Sequence, residues 1–268
     1  MKISATITYQ FDSLFSPFRA SQFNEGLEWA KNNGLDGVEI CISDYNDEIP
    51  KVKATRIMQK ISSLGLQVST ISTGQAFGRE GISLAVKEKE FRDLAVSRIK
   101  EHIDAAAVFN SCVTIGLIRG KAGKFEHLHE SMQTCVEYAM EKNVTLIIEP
   151  LNRYETDLIN NSDEAVNFFK KLYNPPNLKI LWDTFHANIE EVGISNEVIK
   201  HIAHIHLADS NRHFPGFGHI NFNAFFEQLV KFEYGGWLSL ECLNKPFHNT
   251  TIDSIKKLIE TIRRIDKL

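Results

Sequence analysis

The 268-residue sequence has little excess charge and lacks the glycine motifs that bind phosphate groups. Its 30 Lys and Arg residues face 34 Asp and Glu residues, which gives a net charge of -4. Nucleic-acid-binding domains usually carry a basic footprint instead. The composition therefore does not favour a nucleic-acid partner.

Signals for membranes, secretion and disulfide bonding are also missing. No apolar run approaches the ~20 residues that span a bilayer, and the N-terminus (MKISATITYQF) lacks the apolar core of a signal peptide. The four cysteines form no Cys-x-x-Cys pair; they are Cys41, Cys112, Cys135 and Cys242. Scattered thiols in a chain of this length indicate a reducing compartment. We therefore expect a cytoplasmic protein that does not contact a membrane.

What the sequence does contain is a series of short runs rich in Val, Ile and Leu, separated by longer amphipathic stretches. Runs that are nearly continuous in apolar residues are typical of parallel strands covered on both faces. We expect strands at residues 3–9, 37–42, 67–73, 113–118, 145–150, 179–184, 203–209 and 236–241.

Helical patterns fill the intervals between these runs. Asn161 or Ser162 is expected to cap a helix, and the last segment, near residues 252–265, has the apolar spacing of an amphipathic helix. Eight strands alternating with helices over about 250 residues match a (β/α)8 TIM barrel, and a doubly wound α/β sheet is the alternative. Because no linker or repeat is visible, we expect one domain over residues 1–268.

A side chain of a metal-ligand type stands at or near the end of each of the last four predicted strands. These residues are Glu149, Asp183, His206 and Glu241, and they follow one another at separations of 34, 23 and 35 residues. The separations are close to one βα unit each, so the four side chains are expected at the C-terminal rim of a barrel, where barrel enzymes carry their active sites.

These four residues form a mixed oxygen and nitrogen ligand set without thiolate. Such a set suits Mn²⁺, Mg²⁺, Co²⁺ or Zn²⁺, with positions left open for substrate. A metal also explains why a buried strand ends on Glu149, because an unpaired buried carboxylate is costly. His204 lies two residues before His206 on the same strand face, where we expect a buried hydrogen-bonding role.

Together these motifs resemble the sugar isomerase/epimerase family of xylose isomerase-like barrels, and within it the ketose 3-epimerases, such as D-tagatose 3-epimerase. The segments IIEPLNRYETDLIN, DTFHANIEE, HIHLADSNRHFPGFGHINF and SLECL follow in family order. STGQAFGREGISL and IGLIRG are similar to a subgroup that includes 5-keto-L-gluconate epimerase. The resemblance implies an isomerase-class enzyme for a small sugar or sugar acid, with one divalent metal ion, usually Mn²⁺, and often a dimeric or tetrameric state.

The resemblance also implies roles for individual residues. The residues that match the metal ligands are Glu149, Asp183, His206 and Glu241. Glu149 and Glu241 also match the catalytic pair, and Glu155, His186 and Arg212 match positions that contact the sugar.

This residue set suits epimerisation of a carbon next to a ketone. Loss of a proton from that carbon requires an electrophile on the carbonyl oxygen, and a chelating metal stabilises the resulting cis-enediolate. Inversion also requires proton-transfer groups on both faces of the planar intermediate. Glu149 on the fifth strand and Glu241 on the eighth strand are not neighbours around the rim, so they can supply them.

Two further residues have two interpretations each. Arg119 follows the fourth strand directly, and it is either a ligand for the carboxylate of a sugar acid, which arginine binds in bidentate fashion, or a surface arginine. Glu39, in the second strand, either supports a metal ligand from behind or forms a salt bridge inside the barrel.

Three other functions remain open. An aldose–ketose isomerase, such as hydroxypyruvate isomerase, uses the same ligand set, so only the product distinguishes it. An endonuclease for abasic DNA shares the barrel but requires a multi-zinc cluster and a basic groove. A non-catalytic sugar-binding barrel would need neither carboxylate of the glutamate pair.

Overall fold

A computed structural model, which describes residues 1–42, 48, 50–73, 75–247 and 249–267, shows a closed barrel of eight parallel strands. The strands follow in chain order, and β1 pairs with β8 to close the barrel. They are β1 (Lys2–Thr8), β2 (Gly37–Cys41), β3 (Gln67–Ser72), β4 (Cys112–Ile115), β5 (Leu146–Ile148), β6 (Leu178–Asp183), β7 (Ile202–Leu207) and β8 (Trp237–Leu240). The prediction of a (β/α)8 barrel is confirmed, and the doubly wound alternative is wrong.

Helices connect successive strands and cover the outside of the barrel. They are α1 (Phe23–Asn32), α2 (Pro50–Ser63), α3 (Ala76–Glu80), α4 (Lys89–Phe109), α5 (Phe125–Glu141), α6 (Ser162–Lys171), α7 (Thr184–Glu190), α8 (Phe222–Lys231) and α9 (Thr250–Ile265). Short 3₁₀ helices at Ala20–Gln22, Leu117–Arg119 and Val198–His201 lie in the connections.

The helices form where the sequence pattern predicts them. In α9, Ile255, Leu258, Ile259, Ile262 and Ile265 are buried in the core, because their spacing places them on one face. The predicted cap of α6 is Asn161, whose side chain accepts a hydrogen bond from the Glu164 backbone N–H at 2.9 Å. This bond satisfies one of the N–H groups that a helix start leaves without a partner.

The strands alternate between apolar residues that face the helices and residues that face the barrel interior. In β7, Ile205 belongs to the hydrophobic core, whereas His206 reaches Glu39 of β2 across the barrel. The C-terminal ends of all eight strands meet at one rim because the strands are parallel. Groups that follow the strands are thereby brought together from distant parts of the sequence.

Two further observations concern membrane-spanning helices and the state of the cysteines. No helix in the described part of the chain is long and apolar enough to cross a bilayer. Cys41, Cys112, Cys135 and Cys242 are free thiols, as the sequence spacing predicts.

Candidate active site

The four predicted ligand residues converge at the C-terminal rim of the barrel. Glu149 and Glu241 directly follow β5 and β8, Asp183 is the last residue of β6, and His206 lies near the end of β7. One ligand atom from each residue lies within 4.8 Å of the others. The Nδ1 atom of His206 is 3.3 Å from Glu149 Oε1, 3.3 Å from Glu241 Oε2 and 3.7 Å from Asp183 Oδ2.

The unpaired atoms at this site fit a metal ion. Glu149 Oε1, Asp183 Oδ2 and His206 Nδ1 are buried and have no hydrogen-bond partner among the described residues. Buried polar atoms normally have a partner, and oxygen and imidazole donors together suit a divalent transition metal or Mg²⁺. The residues present can therefore hold the ion that the ligand set predicts.

The electrostatics of the site also favour a cation. Burial alone would lower the pKa of His206, but the charges of Glu39 and Glu241 and the nearby carboxylates of Asp183 and Glu149 raise it well above its ordinary value. Burial raises the pKa of Glu241 to about 7; the charge of Glu149 adds to this effect, and His206 opposes it. Several buried carboxylates around one imidazole require compensating positive charge.

The start of α7 orients Asp183. Its Oδ1 atom accepts a hydrogen bond from the Phe185 backbone N–H at 2.7 Å and so caps the helix. This bond leaves the other oxygen, Oδ2, on the side of His206. The capping hydrogen bond thus directs the other carboxylate oxygen toward the site.

His186 lies beside the ligand residues and is oriented by Asn152. Its Nδ1 atom accepts from the backbone N–H of Asn152 at 3.3 Å and from the Asn152 side-chain amide at 2.8 Å. The proton is therefore expected on Nε2, which is 3.8 Å from Glu149 Oε1 and 3.9 Å from Asp183 Oδ2. Sequence reasoning missed Asn152, although it stands between Glu149 and Glu155 in the stretch EPLNRYE.

Arg212 connects two of the acidic residues. Its Nη1 atom donates to Glu155 Oε1 at 2.6 Å, and its Nη2 atom is 3.9 Å from Glu241 Oε2. The guanidinium carbon lies 4.4 Å from the ring centroid of Phe15 and 5.0 Å from that of Phe185, which is cation–π geometry. Phe15 was also missed, because no feature of its sequence neighbourhood links the loop after β1 to this site.

Arg119 has a different environment from the one predicted for a ligand of the substrate carboxylate. Its side chain is fully buried, and its guanidinium donates four hydrogen bonds of 2.8–3.2 Å to backbone carbonyls. The acceptors are Ile115, Gly116, Leu158 and Ile159. Burial lowers its pKa to about 10. Arg119 therefore ties the loop after β5 to the end of β4, and neither the substrate-ligand nor the surface interpretation describes it.

A pocket with a volume of ≈ 150 Å³ is lined by Glu149, Glu155, Glu241 and Arg212, and its wall also includes Phe15, Gln75 and Leu117. A larger groove, of ≈ 400 Å³, lies outside the barrel between α8 and α9. The described residues that line this groove include no carboxylate, imidazole or thiol. The rim pocket is therefore the better candidate for an active site, although it is smaller.

Comparison with known proteins identifies the family. The model of the xylose isomerase-like TIM barrel family matches residues 27–267, and the chain belongs to this family. The family resemblance of the sequence motifs is thereby confirmed.

Proteins with similar sequences include sugar epimerases. An L-ribulose 3-epimerase of Methylomonas sp. (strain DH-1) is 33% identical over 114 residues, which span 41% of this chain and 40% of that protein. A 3-dehydro-D-guloside 4-epimerase of Escherichia coli (strain K12) is 27% identical over 236 residues, which span 81% of this chain and 86% of that protein. The crystal structure of a D-allulose 3-epimerase from Methylomonas sp. matches with a TM-score of 0.80 over 99% of this chain and 98% of that chain. At 18% identity, this match shows the shared fold alone.

Proposed function

We propose that this protein is a metal-dependent carbohydrate epimerase that inverts a carbon next to a ketone. The observation that carries the proposal is the convergence of Glu149 and Glu241 on His206 Nδ1, each at 3.3 Å, from strands that are not adjacent. The epimerase names of relatives support the same reaction type.

The residues that would hold the metal are Glu149, Asp183, His206 and Glu241. Mn²⁺ is the proposed ion, and Mg²⁺, Co²⁺ and Zn²⁺ suit the same donors. When bound, a divalent cation stabilises negative charge on the oxygen atoms of the substrate.

Proton transfer is assigned to the glutamate pair. Two strands, β6 and β7, separate the ends of β5 and β8 around the rim, so Glu149 and Glu241 can approach a bound sugar from different sides. One carboxylate removes the proton beside the ketone, and the other returns a proton to the opposite face of the planar enediolate. The two roles exchange in the reverse reaction.

Three neighbouring side chains are proposed to hold the sugar. Glu155 and Arg212 present a hydrogen-bonded acid–base pair at the pocket wall. His186 offers its Nε2 atom beside Glu149. These groups match the donors and acceptors of sugar hydroxyls, and they adjoin the proposed proton-transfer residues.

Charge in the pocket favours a neutral ketose or keto-glycoside over a sugar acid or sugar phosphate. Among the described residues that line the pocket, Arg212 is the only Arg or Lys, and its guanidinium already pairs with Glu155. Apart from the metal ion, a substrate carboxylate would therefore meet several acidic side chains and no unpaired Arg or Lys among the described residues of the pocket lining. Arg119, the residue expected to bind that group, is bonded to backbone carbonyls instead.

Several properties outside the site stay proposals. We propose a cytoplasmic location, which the four free thiols support, and a single domain over residues 1–268. We also propose a homodimer or homotetramer that binds neither nucleic acid nor membranes.

The proposed function can be tested with a panel of substrates. Protein loaded with Mn²⁺ would be incubated with neutral ketohexoses, 5-keto-gluconate and hydroxypyruvate, and the products would be separated by chromatography. Glu241→Gln would be compared with Glu227→Gln, which changes an exposed glutamate of α8 in the same way.

We expect conversion of a neutral ketose to its epimer, loss of conversion with chelator, and its return with Mn²⁺. Glu241→Gln should abolish conversion, and Glu227→Gln should retain it. An aldose product would identify an isomerase instead. Absence of any conversion, in protein that binds Mn²⁺, would contradict the proposed substrate class.

A further inference from the structure

The imidazole of His206 is held on the side away from the rim by Glu39. Its Nε2 atom lies 3.0 Å from Glu39 Oε2, whereas Nδ1 faces the carboxylates of the proposed metal site. Glu39 is fully buried and His206 is 1% exposed. An ionised carboxylate can only accept a hydrogen bond, so this contact requires a proton on Nε2. Nδ1 is then the nitrogen that is available to a metal.

Small side chains in the barrel interior leave room for Glu39 to reach His206. Around the barrel, β8 and β1 lie between β7, which carries His206, and β2, which carries Glu39. Small polar residues occupy the intervening register: Ser239 pairs with His206, Ser4 pairs with Ser239, and Thr6 pairs with Glu39. All three are buried. Because these side chains are short, a long carboxylate side chain can cross the centre of the barrel.

His204 contacts the same carboxylate oxygen from the layer below. Its Nε2 atom is 3.3 Å from Glu39 Oε2, and its ring is nearly perpendicular to that of His206, with the centroids 5.3 Å apart. One oxygen of Glu39 therefore faces two imidazole groups. His204 Nε2 has no hydrogen-bond partner among the described residues, so its ring limits the space around the carboxylate, and the bond to His206 sets the orientation of Glu39.

A second metal ion is the competing explanation for this cluster. Ligand atoms of Glu39, His204 and His206 lie within 4.8 Å of one another. However, such an ion would have to break the direct bond between His206 and Glu39, and His206 would then have to lose the proton from Nε2 while Nδ1 serves the rim site. The contacts favour a hydrogen-bonded support.

We propose that Glu39 is a positioning residue for the metal site. By accepting the hydrogen bond from His206 Nε2–H, it selects the tautomer and ring orientation in which Nδ1 faces the metal. The inference rests on the metal site of the proposed function but not on the sugar or the reaction. Partners of this kind typically change metal affinity by roughly 10- to 100-fold.

The first test compares Glu39→Gln with a matched control, Glu191→Gln. Glu191 is a partly buried carboxylate that accepts hydrogen bonds from Ser162 and Trp182 and does not belong to either group of candidate ligands. Mn²⁺ affinity would be measured by competition with a chelator, and the melting temperature of each metal-free protein would report folding. We expect about 10- to 100-fold weaker Mn²⁺ binding for Glu39→Gln and wild-type affinity for Glu191→Gln.

A second measurement uses the wild-type protein, so it does not depend on whether Glu39→Gln folds. Nitrogen-15 NMR of the Zn²⁺-loaded protein should show His206 bound through Nδ1, with a slowly exchanging proton on Nε2. Ligation through Nε2, two metal ions per chain, or equal Mn²⁺ affinity of wild type and Glu39→Gln would overturn the inference. These results would leave the proposed epimerase activity intact, whereas wild-type protein that binds no metal would contradict both.

Discussion

At the scale of single residues, two of the four ligand candidates divide their polar atoms between the fold and the site. Asp183 caps α7 with Oδ1 and leaves Oδ2 beside His206. His206 contacts Glu39 through Nε2 and faces the rim carboxylates through Nδ1. Because one atom of each residue is fixed by the fold, the other is already oriented before a metal or substrate binds.

Arg119 is expected to determine stability rather than substrate binding. Its guanidinium satisfies four buried carbonyl groups, and lysine lacks the planar donor fork that this geometry requires. Arg119→Lys should lower the free energy of unfolding by roughly 2–5 kcal/mol, measured by urea denaturation. Arg264→Lys, an exposed control on α9, should change it by less than about 0.5 kcal/mol. If Arg119→Lys is as stable as wild type and has a raised KM for a sugar acid, this account is contradicted and Arg119 contacts the substrate carboxylate.

Asn152 is expected to act through His186. Its side-chain amide donates to His186 Nδ1 at 2.8 Å and to Glu155 Oε1 at 3.2 Å. Asn152→Ala removes both side-chain bonds and leaves His186 Nδ1 with only the longer bond from the backbone N–H of residue 152, at 3.3 Å, so the imidazole is held less firmly. We expect kcat/KM to fall by at least about tenfold, because His186 would be less well oriented toward the substrate. The free energy of unfolding should fall by only about 1 kcal/mol. Unchanged steady-state kinetics would exclude this role.

At the scale of elements, the loop after β7 is organised around Asp209. The buried carboxylate accepts hydrogen bonds from the backbone N–H groups of Ser210, Gly216 and Ile220 at 2.7, 2.7 and 3.1 Å. The same loop carries Arg212, whose backbone has a left-handed conformation with φ of 61°. The Arg212 N–H donates to the Asp209 carbonyl at 2.7 Å. Asp209 thus stabilises the strained backbone that directs Arg212 into the pocket.

This loop predicts a dependence of stability on pH. Burial alone would raise the pKa of Asp209, but the backbone donors hold it below its ordinary value. A lowered pKa in the folded state stabilises the protein above the unfolded-state pKa of about 3.9, and this contribution is lost as the pH falls through the folded-state pKa. Asp209→Asn should therefore be less stable than wild type near neutral pH, and the difference should shrink below about pH 4. Urea denaturation at several pH values measures it, and a difference that does not change with pH would contradict this account.

At the scale of the whole molecule, parallel closure explains why much of the site could be predicted. Glu149, Asp183, His206 and Glu241 are far apart in sequence, but each is at or near the end of a strand, and all strand ends meet at one rim. The strand pattern, the (β/α)8 fold and the family were therefore accessible from sequence, and they are confirmed.

Other contacts in the site could not be predicted from the strand pattern, because they depend on loop conformation and on packing inside the barrel. A residue just after a strand, such as Arg119, can turn toward the pocket or toward buried carbonyls, and only the loop conformation decides between them. The contact from Glu39 to His206 crosses the barrel between strands five positions apart in chain order. Its existence depends on the small side chains of β1 and β8. The role of Asn152 likewise depends on the backbone of its loop.

Metal binding should stabilise the whole barrel, because the ligands come from four strands that unfolding separates. Wild-type protein at an Mn²⁺ concentration 100 times the dissociation constant should gain about 2.7 kcal/mol over the chelated protein, visible as a higher melting temperature. At the same Mn²⁺ concentration, Asp183→Asn should gain much less, because it loses the charge of one ligand. A melting temperature that does not respond to any of the proposed ions would argue against a metal site in this barrel.

The most direct test of the central claim is exchange of the proton beside the ketone with solvent. Mn²⁺-loaded protein would be incubated with a ketose in deuterium oxide, and proton NMR would follow the signal at the carbon next to the carbonyl in wild type, Glu149→Gln and Glu241→Gln. The account predicts that wild type incorporates deuterium at that carbon in both epimers, and that the two epimers fail to interconvert in either variant. Epimer formation that retains the original proton, or that persists in both glutamine variants, would contradict proton transfer by Glu149 and Glu241.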